Sequence, residues 1–197
     1  MRTVATITAG IILAGLVLAS CTIGDPYGVA MHETRTGRVR GRIVGNPHRV
    51  HHEALNAVRI YSGAAFGFRV EQHTDGVFDA EVELDSAADV TLLLRTTLHA
   101  YSQGSKRHVA LRLTPTLATL TLDDGRTVHT AVTLPAGIPT SIRVVNDGSL
   151  IDITVGCTHL GRFATGLPAT EWIVVAPSNA GSIRVVDPHF SSLYERY

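Results

Sequence analysis

The sequence predicts an all-β fold built from many short strands, and three observations support that class. Apolar and polar residues alternate with period two through most segments after residue 37, as in strands that bury one face. Turn signals recur at intervals of about 8–12 residues, which is typical of a sandwich or barrel. Charged residues make up 17% of the chain, below the roughly 25% of ordinary soluble domains, and threonine, which suits exposed strand positions, is frequent.

The strands and turns can be placed in order along the chain. Apolar residues alternate with acidic ones over residues 78–85 and with polar ones over residues 109–113. Asp124-Gly125 favours a tight hairpin because both positions tolerate positive φ, and Asn146-Asp147-Gly148 predicts a second one. Residues 171–176 are apolar on both faces, as expected of a central strand that is covered on each side.

The same alternation predicts the core. Side chains expected to be buried are Phe78, Val82, Leu84, Leu92, Leu94, Leu111, Ile142, Val144, Ile151, Ile153, Trp172, Val174, Ile183 and Val185. One short helix is predicted near residues 47–57. Asn46 can cap it and Pro47 suits its first position. Apolar residues at helical spacing then follow at Val50, Ala54 and Val58.

The first residues have the layout of an export signal. No charge lies between Arg2 and Asp25, and residues 7–18 form an apolar run followed by small residues. Leu18-Ala19-Ser20-Cys21 then resembles the bacterial lipobox. This resemblance implies that residues 1–20 are removed and that Cys21 carries diacylglycerol on its sulfur and an acyl chain such as palmitate on its nitrogen, a stable anchor. The alternative is an uncleaved signal anchor, because residues 3–24 could cross a bilayer of about 30 Å.

The chain thus divides into a signal peptide (1–20), a lipidated tether (21–36) and a β-sandwich domain (37–197). The expected location is the bacterial cell envelope, with the domain outside the cytoplasm and anchored to the outer leaflet of the cytoplasmic membrane or to the outer membrane. The other cysteine, Cys157, follows an apolar strand pattern, which predicts a buried and inert side chain. If Cys21 is a thioether, no disulfide can form within the chain.

The charge balance argues against a nucleic-acid partner. The 17 Lys and Arg residues match the 17 Asp and Glu residues, so no basic field is available to neutralise phosphates. The sequence also lacks a Walker phosphate-binding loop, a dinucleotide fingerprint and a Gly-x-Ser-x-Gly motif.

Segments from Phe78 onward resemble the concanavalin A-like (laminin G-like) jelly roll. The resemblance lies in residues 78–83, Leu94-Arg95, residues 134–137 leading into residues 142–144, the turn at residues 146–148, and residues 183–188. Within that fold, the chain is similar to bacterial lectin-like and glucanase-like domains, including the 3-keto-disaccharide hydrolase type. The resemblance implies a two-sheet antiparallel β-sandwich whose ligand is a carbohydrate or another envelope component.

Four carboxylates alternate along one predicted strand and share one of its faces: Asp79, Glu81, Glu83 and Asp85. Neighbours on such a face lie about 6.5–7 Å apart. Retaining glycosidases hold their two carboxyl groups about 5–5.5 Å apart, and inverting ones about 6.5–9.5 Å apart. The spacing therefore permits hydrolysis, although the order is not the Glu-x-Asp-x-x-Glu of jelly-roll glucanases.

Basic and polar residues of the next two segments are expected to face this acidic strand. If the leucines of residues 92–94 point inward, their neighbours point outward. The predicted ligand-binding face consists of Glu81, Glu83, Arg95, His99 and Arg112, with Tyr101 in an adjacent loop. The alternative is a solvated face with cross-strand ion pairs.

His48, His51 and His52 form the densest histidine cluster, and on a helix they could share a metal ion. A zinc site needs three or four protein ligands, and no further Cys or His set completes this one, so we predict no metal site and no cofactor. Calcium stays an open alternative that no motif supports.

Together these features predict a lipid-anchored extracytoplasmic sandwich that binds a glycan or an envelope component without turnover. Two alternatives stay open. One is an envelope glycoside hydrolase or lyase that uses the acidic strand. The other is an adhesive surface lipoprotein that recognises protein.

Overall fold

The computed structural model describes residues 41–54, 56–69, 75–86, 88–97, 107–170 and 172–193. This part of the chain forms a two-layer antiparallel β-sandwich, which confirms the predicted fold class. Its strands are β1 (Gly41–Gly45), β2 (Val50–Ala54), β3 (Ala57–Tyr61), β4 (Ala64–Arg69), β5 (Gly76–Leu84), β6 (Val90–Thr96), β7 (Val109–Leu113), β8 (Leu117–Thr121), β9 (Thr127–Ala131), β10 (Thr140–Asp147), β11 (Leu150–Val155), β12 (Thr158–Ala164), β13 (Trp172–Pro177) and β14 (Ser182–Ser192).

Several predicted features lie outside the described residues. They are the signal peptide, the tether with Cys21, and the two candidate ligand residues His99 and Tyr101. Within the described ranges, no helix has the length and apolar character needed to span a membrane.

Each layer is a seven-stranded sheet. Sheet A has the order β1-β4-β13-β6-β7-β8-β9, and sheet B has the order β12-β11-β10-β5-β14-β3-β2. The acidic strand β5 lies at the centre of sheet B, where it pairs antiparallel with β10 and β14. The next two strands of the chain, β6 and β7, belong to sheet A. Consecutive strands β5 and β6 therefore lie in different layers.

The inner faces of both sheets form one hydrophobic core, largely as the alternation predicts. Its members include Phe78, Val82, Leu84, Leu92, Leu94, Leu111, Ile142, Val144, Ile151, Ile153, Ile183 and Val185. Val174 is buried, as predicted, but it belongs to a second, small cluster with Ala65 and Leu93 on the other face of sheet A. Its neighbours on β13, Ile173 and Val175, face the core instead. The side chain of Trp172 lies outside the described part of the structure.

The helix predicted near residues 47–57 is wrong beyond its first turn. The Asn46 side chain accepts a hydrogen bond from the His48 N–H at 3.0 Å, and Pro47–Arg49 form a short 3-10 helix. Val50 then returns to extended backbone, with φ of −129°, and begins β2. The cap and proline signals start a turn, but pairing of β2 with β3 places Val50 opposite Ile60 and buries both side chains in the core. The burial of these two side chains in the core favours a strand over the helix that the spacing of the apolar residues predicted.

Cys157 lies in the turn between β11 and β12, where its side chain is exposed. The prediction of a buried cysteine is therefore wrong, because the apolar pattern stops at Val155 and Gly156 turns the chain with φ of +56°. Cys157 is disulfide-bonded in the structure.

Candidate functional site

The predicted ligand-binding face is not assembled, because its residues lie on two sheets. Glu81 and Glu83 are on β5 in sheet B, whereas Arg95 and Arg112 are on β6 and β7 in sheet A. The prediction required these strands to be neighbours. The chain instead crosses from one layer to the other after β5, so the acidic strand and the two strands that carry the arginines lie in different sheets.

Arg95 lies inside the sandwich instead of on an outer face. Opposite β13, the pairing shifts from Val174–Leu93 to Trp172–Thr96, so two residues of β6 oppose one residue of β13. Such a bulge changes the direction of the side chains on the longer strand. Arg95 takes a φ of +54° and is only 3% exposed. The bulge interrupts the alternation that predicted an exposed Arg95.

The buried guanidinium of Arg95 is held by main-chain carbonyl groups. Its Nη1 donates to the carbonyl oxygens of Gly148 at 2.8 Å and Leu167 at 2.6 Å, and its Nη2 donates to that of Leu150 at 2.7 Å. Burial lowers the pKa of Arg95, and two nearby carboxylates partly oppose that shift. Arg95 therefore links β6 of sheet A to the β10–β11 turn of sheet B, which is a structural role.

Arg112 is exposed on the outer face of sheet A. Its Nη2 donates to Asp89 Oδ2 at 2.7 Å. Asp89 is not a residue of the acidic strand, so the alternative of ion pairs between β5 and these arginines is also wrong. An exposed pair of this kind contributes about 0–1 kcal/mol to stability.

The acidic strand does present carboxylates on one face, as the alternation predicts. Asp79, Glu81 and Glu83 point outward from β5, while the alternate residues enter the core. Asp85 lies beyond the end of β5, and its Oδ1 accepts a hydrogen bond from the Ser86 N–H at 2.7 Å. The shared face therefore holds three of the four predicted carboxylates.

On this outer face of sheet B, Glu83 belongs to an ion-pair network that we call the Arg–Glu cluster: Glu53, Arg59, Glu83 and Arg184. Arg59 Nε donates to Glu53 Oε1. Arg184 Nε donates to Glu53 Oε2 at 2.7 Å, and Arg184 Nη1 donates to Glu83 Oε2 at 3.2 Å. The cluster crosses the four adjacent strands β2, β3, β14 and β5.

The register explains why Glu53 is needed in this cluster. Arg184 stands directly opposite Arg59, and like charges in such pairs are destabilising. Glu53 bonds both guanidinium groups and offsets their repulsion. The hydrogen bond from Arg59 lowers the pKa of Glu53, against a smaller opposing effect of burial, and the same bond raises the pKa of Arg59. The side chains stay 20–31% exposed, so the cluster holds charged groups in fixed positions at the surface.

An aromatic pair flanks the cluster. The rings of His51 and Tyr61 lie 5.3 Å apart at 60°. His51 lies on β2, directly opposite Arg59 on β3. Tyr61 lies on β3, two residues after Arg59. This arrangement places flat rings beside oriented charged donors and acceptors, a combination suited to ligands with both apolar faces and hydroxyl groups.

The centre of the same face carries further polar groups. Asp79 Oδ1 lies 3.8 Å from Arg143 Nε. Glu81 is exposed between its cross-strand neighbours Ser141 and Val186. The Arg–Glu cluster, the aromatic pair and these central groups together make sheet B the candidate binding surface.

Sequence reasoning missed Arg59, Tyr61 and Arg184. A signal was present, because Arg59 and Tyr61 alternate with the buried Val58 and Ile60. Assigning part of this segment to a helix concealed that alternation. Arg184 likewise alternates with Ile183 and Val185, but only the strand order shows that it neighbours Glu83.

The histidine cluster does not form the predicted helical arrangement. His51 and His52 lie on a strand, so their side chains alternate: His51 contacts Tyr61 on the outer face, and the ring of His52 meets Phe66 at 82°. Among the residues that the structure describes, no three His, Cys, Asp or Glu side chains form a group able to hold a metal ion.

No protein-family model and no curated protein matches this sequence. Solved structures do match. A carbohydrate-binding module from Bacillus subtilis, CBM66, superimposes with a TM-score of 0.54 at 8% identity, over 78% of this chain and 93% of that one. A Bacillus subtilis protein of unknown function with a galectin-like fold superimposes with a TM-score of 0.57 at 9% identity, over 77% of this chain and 89% of that one. The Bacillus licheniformis β-glucanase superimposes with a TM-score of 0.51 at 10% identity, over 80% of this chain and 89% of that one.

The chain shares their β-sandwich fold. Its structural neighbours are thus galectin-like and concanavalin-like sandwiches, among them carbohydrate-binding and glycosyl hydrolase domains. At these identities the likeness concerns the fold, and the function must be argued from the surface groups.

Proposed function

We propose that this chain binds carbohydrate through the outer face of sheet B. The observation that carries the proposal is the placement of the Arg–Glu cluster beside the His51–Tyr61 ring pair on one exposed sheet face. A sugar presents apolar ring faces and polar hydroxyl edges. Aromatic rings can pack against the first, and charged groups form strong hydrogen bonds to the second.

The ion pairs of the cluster also favour binding by preorganisation. Arg184 is held by two carboxylates, and Glu53 is held by two guanidinium groups. Side chains that are already ordered lose less conformational entropy when a ligand arrives. The carbohydrate-binding module among the structural neighbours supports the proposal at the level of the fold.

Hydrolysis is the second candidate, and one observation favours it: Asp79, Glu81 and Glu83 share a face at the spacing that an inverting glycosidase uses. Two of the three carboxylates are engaged by arginines, however. Only Glu81 is left without an ion pair among the described residues, whereas the mechanism requires two carboxyl groups with separate roles. Binding without turnover is therefore the function we favour.

The lipobox-like Leu18-Ala19-Ser20-Cys21 supports a location on the outside of a bacterial membrane, held by lipid on Cys21. The chain has two cysteines, so a thioether at Cys21 and a disulfide between Cys21 and Cys157 exclude each other. Cys157 is disulfide-bonded in the structure. The chemical state of Cys21, thioether or disulfide, therefore tests directly whether the protein is lipid-anchored.

A glycan array probed with the full-length protein in detergent tests the proposed function. We expect specific retention on a subset of glycans, with those glycans recovered intact after prolonged incubation. Retention on none of them would overturn carbohydrate binding. Release of shortened products would instead support the hydrolase.

A further inference from the structure

We propose that the outer face of sheet B selects uncharged glycans and excludes anionic ones. This inference rests on the proposed function and adds the chemical class of the ligand. It is drawn from the charges on that face, where carboxylates outnumber arginines and the described arginines are already engaged.

The planar fork of a guanidinium group is the side-chain donor best matched to a carboxylate, sulfate or phosphate on a glycan. The described strands of sheet B carry four outward-facing arginines, each with a protein carboxylate as partner: Arg59 with Glu53, Arg143 with Asp79, Arg162 with Asp147, and Arg184 with Glu53 and Glu83. An anionic sugar that binds one of these arginines would therefore share it with a protein carboxylate, which would bring two negative groups close together on the same face.

The charge balance of the face opposes an anion as well. On the described strands of sheet B, and leaving aside Asp187 at the irregularity of β14, six carboxylates point outward: Glu53, Asp79, Glu81, Glu83, Asp147 and Asp152. Against the four arginines they leave a formal charge of −2 when the histidines are neutral. Placing like charges together across an interface disfavours binding.

Glu81 is the group that an anionic ligand would meet. It is exposed at the centre of β5, between Asp79 and Glu83, which are both paired with arginine. No described side chain forms an ion pair with Glu81, and its side chain is exposed to solvent. An anion bound at the middle of the face would displace that solvent and leave two negative groups in proximity.

A neutral sugar meets no such obstacle. Hydroxyl groups both donate and accept, so they can donate to Glu81 without breaking an ion pair. A guanidinium has five N–H groups, and Arg184 uses only its Nε and Nη1 toward Glu53 and Glu83. Its remaining N–H groups can donate to sugar oxygens while the Arg–Glu cluster stays intact.

Matched glycans test this inference. The full-length protein in detergent is applied to an array of paired oligosaccharides, each printed as the neutral form and as the same backbone carrying sialic acid, a uronic acid or sulfate. We expect the neutral member of a retained pair to bind at least tenfold more tightly than its anionic counterpart. Glu81→Gln keeps the size and an acceptor oxygen but removes the charge, so it should reduce this preference at least threefold.

The control is Asp124→Asn, which removes an exposed carboxylate from the turn after β8, on the other sheet. It should leave the preference unchanged. Anionic members that bind as tightly as neutral ones would overturn the charge selection while glycan binding stands. A preference that Glu81→Gln does not reduce would overturn the assignment of selection to Glu81. If neither member of any pair binds, the proposed function fails, and this inference fails with it.

Discussion

Arg184 on β14 stands directly opposite Glu83 on β5, and its Nη1 donates to Glu83 Oε2 at 3.2 Å. The other side of the same guanidinium reaches Glu53 near the edge of the sheet. One arginine thereby connects the central acidic strand to β2, three strands away in sheet B. This connection turns separate surface charges into one continuous polar surface.

Replacing Arg184 tests whether that surface binds the ligand. Arg184→Ala should weaken binding of any glycan retained on the array at least tenfold, because it removes donors and releases Glu53 and Glu83. The free energy of unfolding should change by about 1 kcal/mol or less, since the pair is partly exposed. Titration with the retained glycan and urea unfolding measure the two effects.

Arg112→Ala is the matched control for Arg184. Arg112 is also an ion-paired arginine on an outer face, but it lies on sheet A and pairs with Asp89. The Arg112→Ala variant should bind the retained glycan with an affinity within twofold of that of the wild type. Equal losses in the two variants would argue against a binding surface on sheet B.

Arg95 should behave as a structural residue. Arg95→Met removes the buried guanidinium and leaves three main-chain carbonyl groups without their donor, so we expect a loss of about 3–5 kcal/mol in the free energy of unfolding. Arg95→Lys should not restore stability, because an ammonium group cannot reproduce the planar fork. Urea unfolding checks both variants. A loss of less than about 1 kcal/mol in the unfolding free energy of Arg95→Met would show that the link between the two sheets through Arg95 does not stabilise the fold.

Leu93 and Leu94 allow a direct test of the two faces of sheet A. Leu94 is 0% exposed in the main core, whereas Leu93 is 8% exposed in the small outer cluster. Leu94→Ala should cost about 2–5 kcal/mol, as expected for a truncated core leucine. Leu93→Ala should cost clearly less, because fewer apolar groups surround it. A larger loss of unfolding free energy in Leu93→Ala than in Leu94→Ala, measured by denaturant unfolding, would contradict the assignment of the two faces.

The Arg–Glu cluster should make stability depend on pH in the acidic range. Its arginines lower the pKa of Glu53 from its ordinary value of 4.5. A lowered folded-state pKa means that the contribution of Glu53 is fully present above pH 4.5 and is lost as pH falls through the folded-state value. The difference in unfolding free energy between the wild type and Glu53→Gln should therefore be constant from pH 6 to 8 and shrink toward pH 3. A difference that grows on acidification would contradict this assignment.

The anchor is tested by labelling cells with a lipid precursor. Cys21→Ser should abolish incorporation, whereas Cys157→Ser should leave it unchanged or raise it, because it removes any competing disulfide. Intact mass under non-reducing conditions distinguishes a thioether-linked lipid from a disulfide. Labelling that persists in Cys21→Ser would contradict lipidation at this residue.

The alternation of residues determined which side of each strand enters the core. This property is local, because successive side chains of a pleated strand point to opposite faces whatever the strand pairs with. The buried set from Phe78 to Val185 could therefore be predicted without knowing the topology. The shared face of Asp79, Glu81 and Glu83 follows from the same rule.

Two local irregularities could not be predicted in this way. The bulge at Arg95 arises where β6 must match β13, a strand more than 70 residues later in the chain, and it turns an expected surface arginine into a buried one. The helix expected after Asn46 gives way to β2 because β3 lies alongside to pair with it. In both places, the partner strand decided the local conformation.

Only the tertiary structure decided which charged residues meet. Glu53, Arg59, Glu83 and Arg184 lie up to 131 residues apart in sequence, and they become neighbours because β2, β3, β14 and β5 are adjacent in sheet B. Sequence alternation assigns each of them to an outer face, but it contains no information about which strands share a sheet. Strand order depends on long-range pairing, and that pairing forms the candidate site.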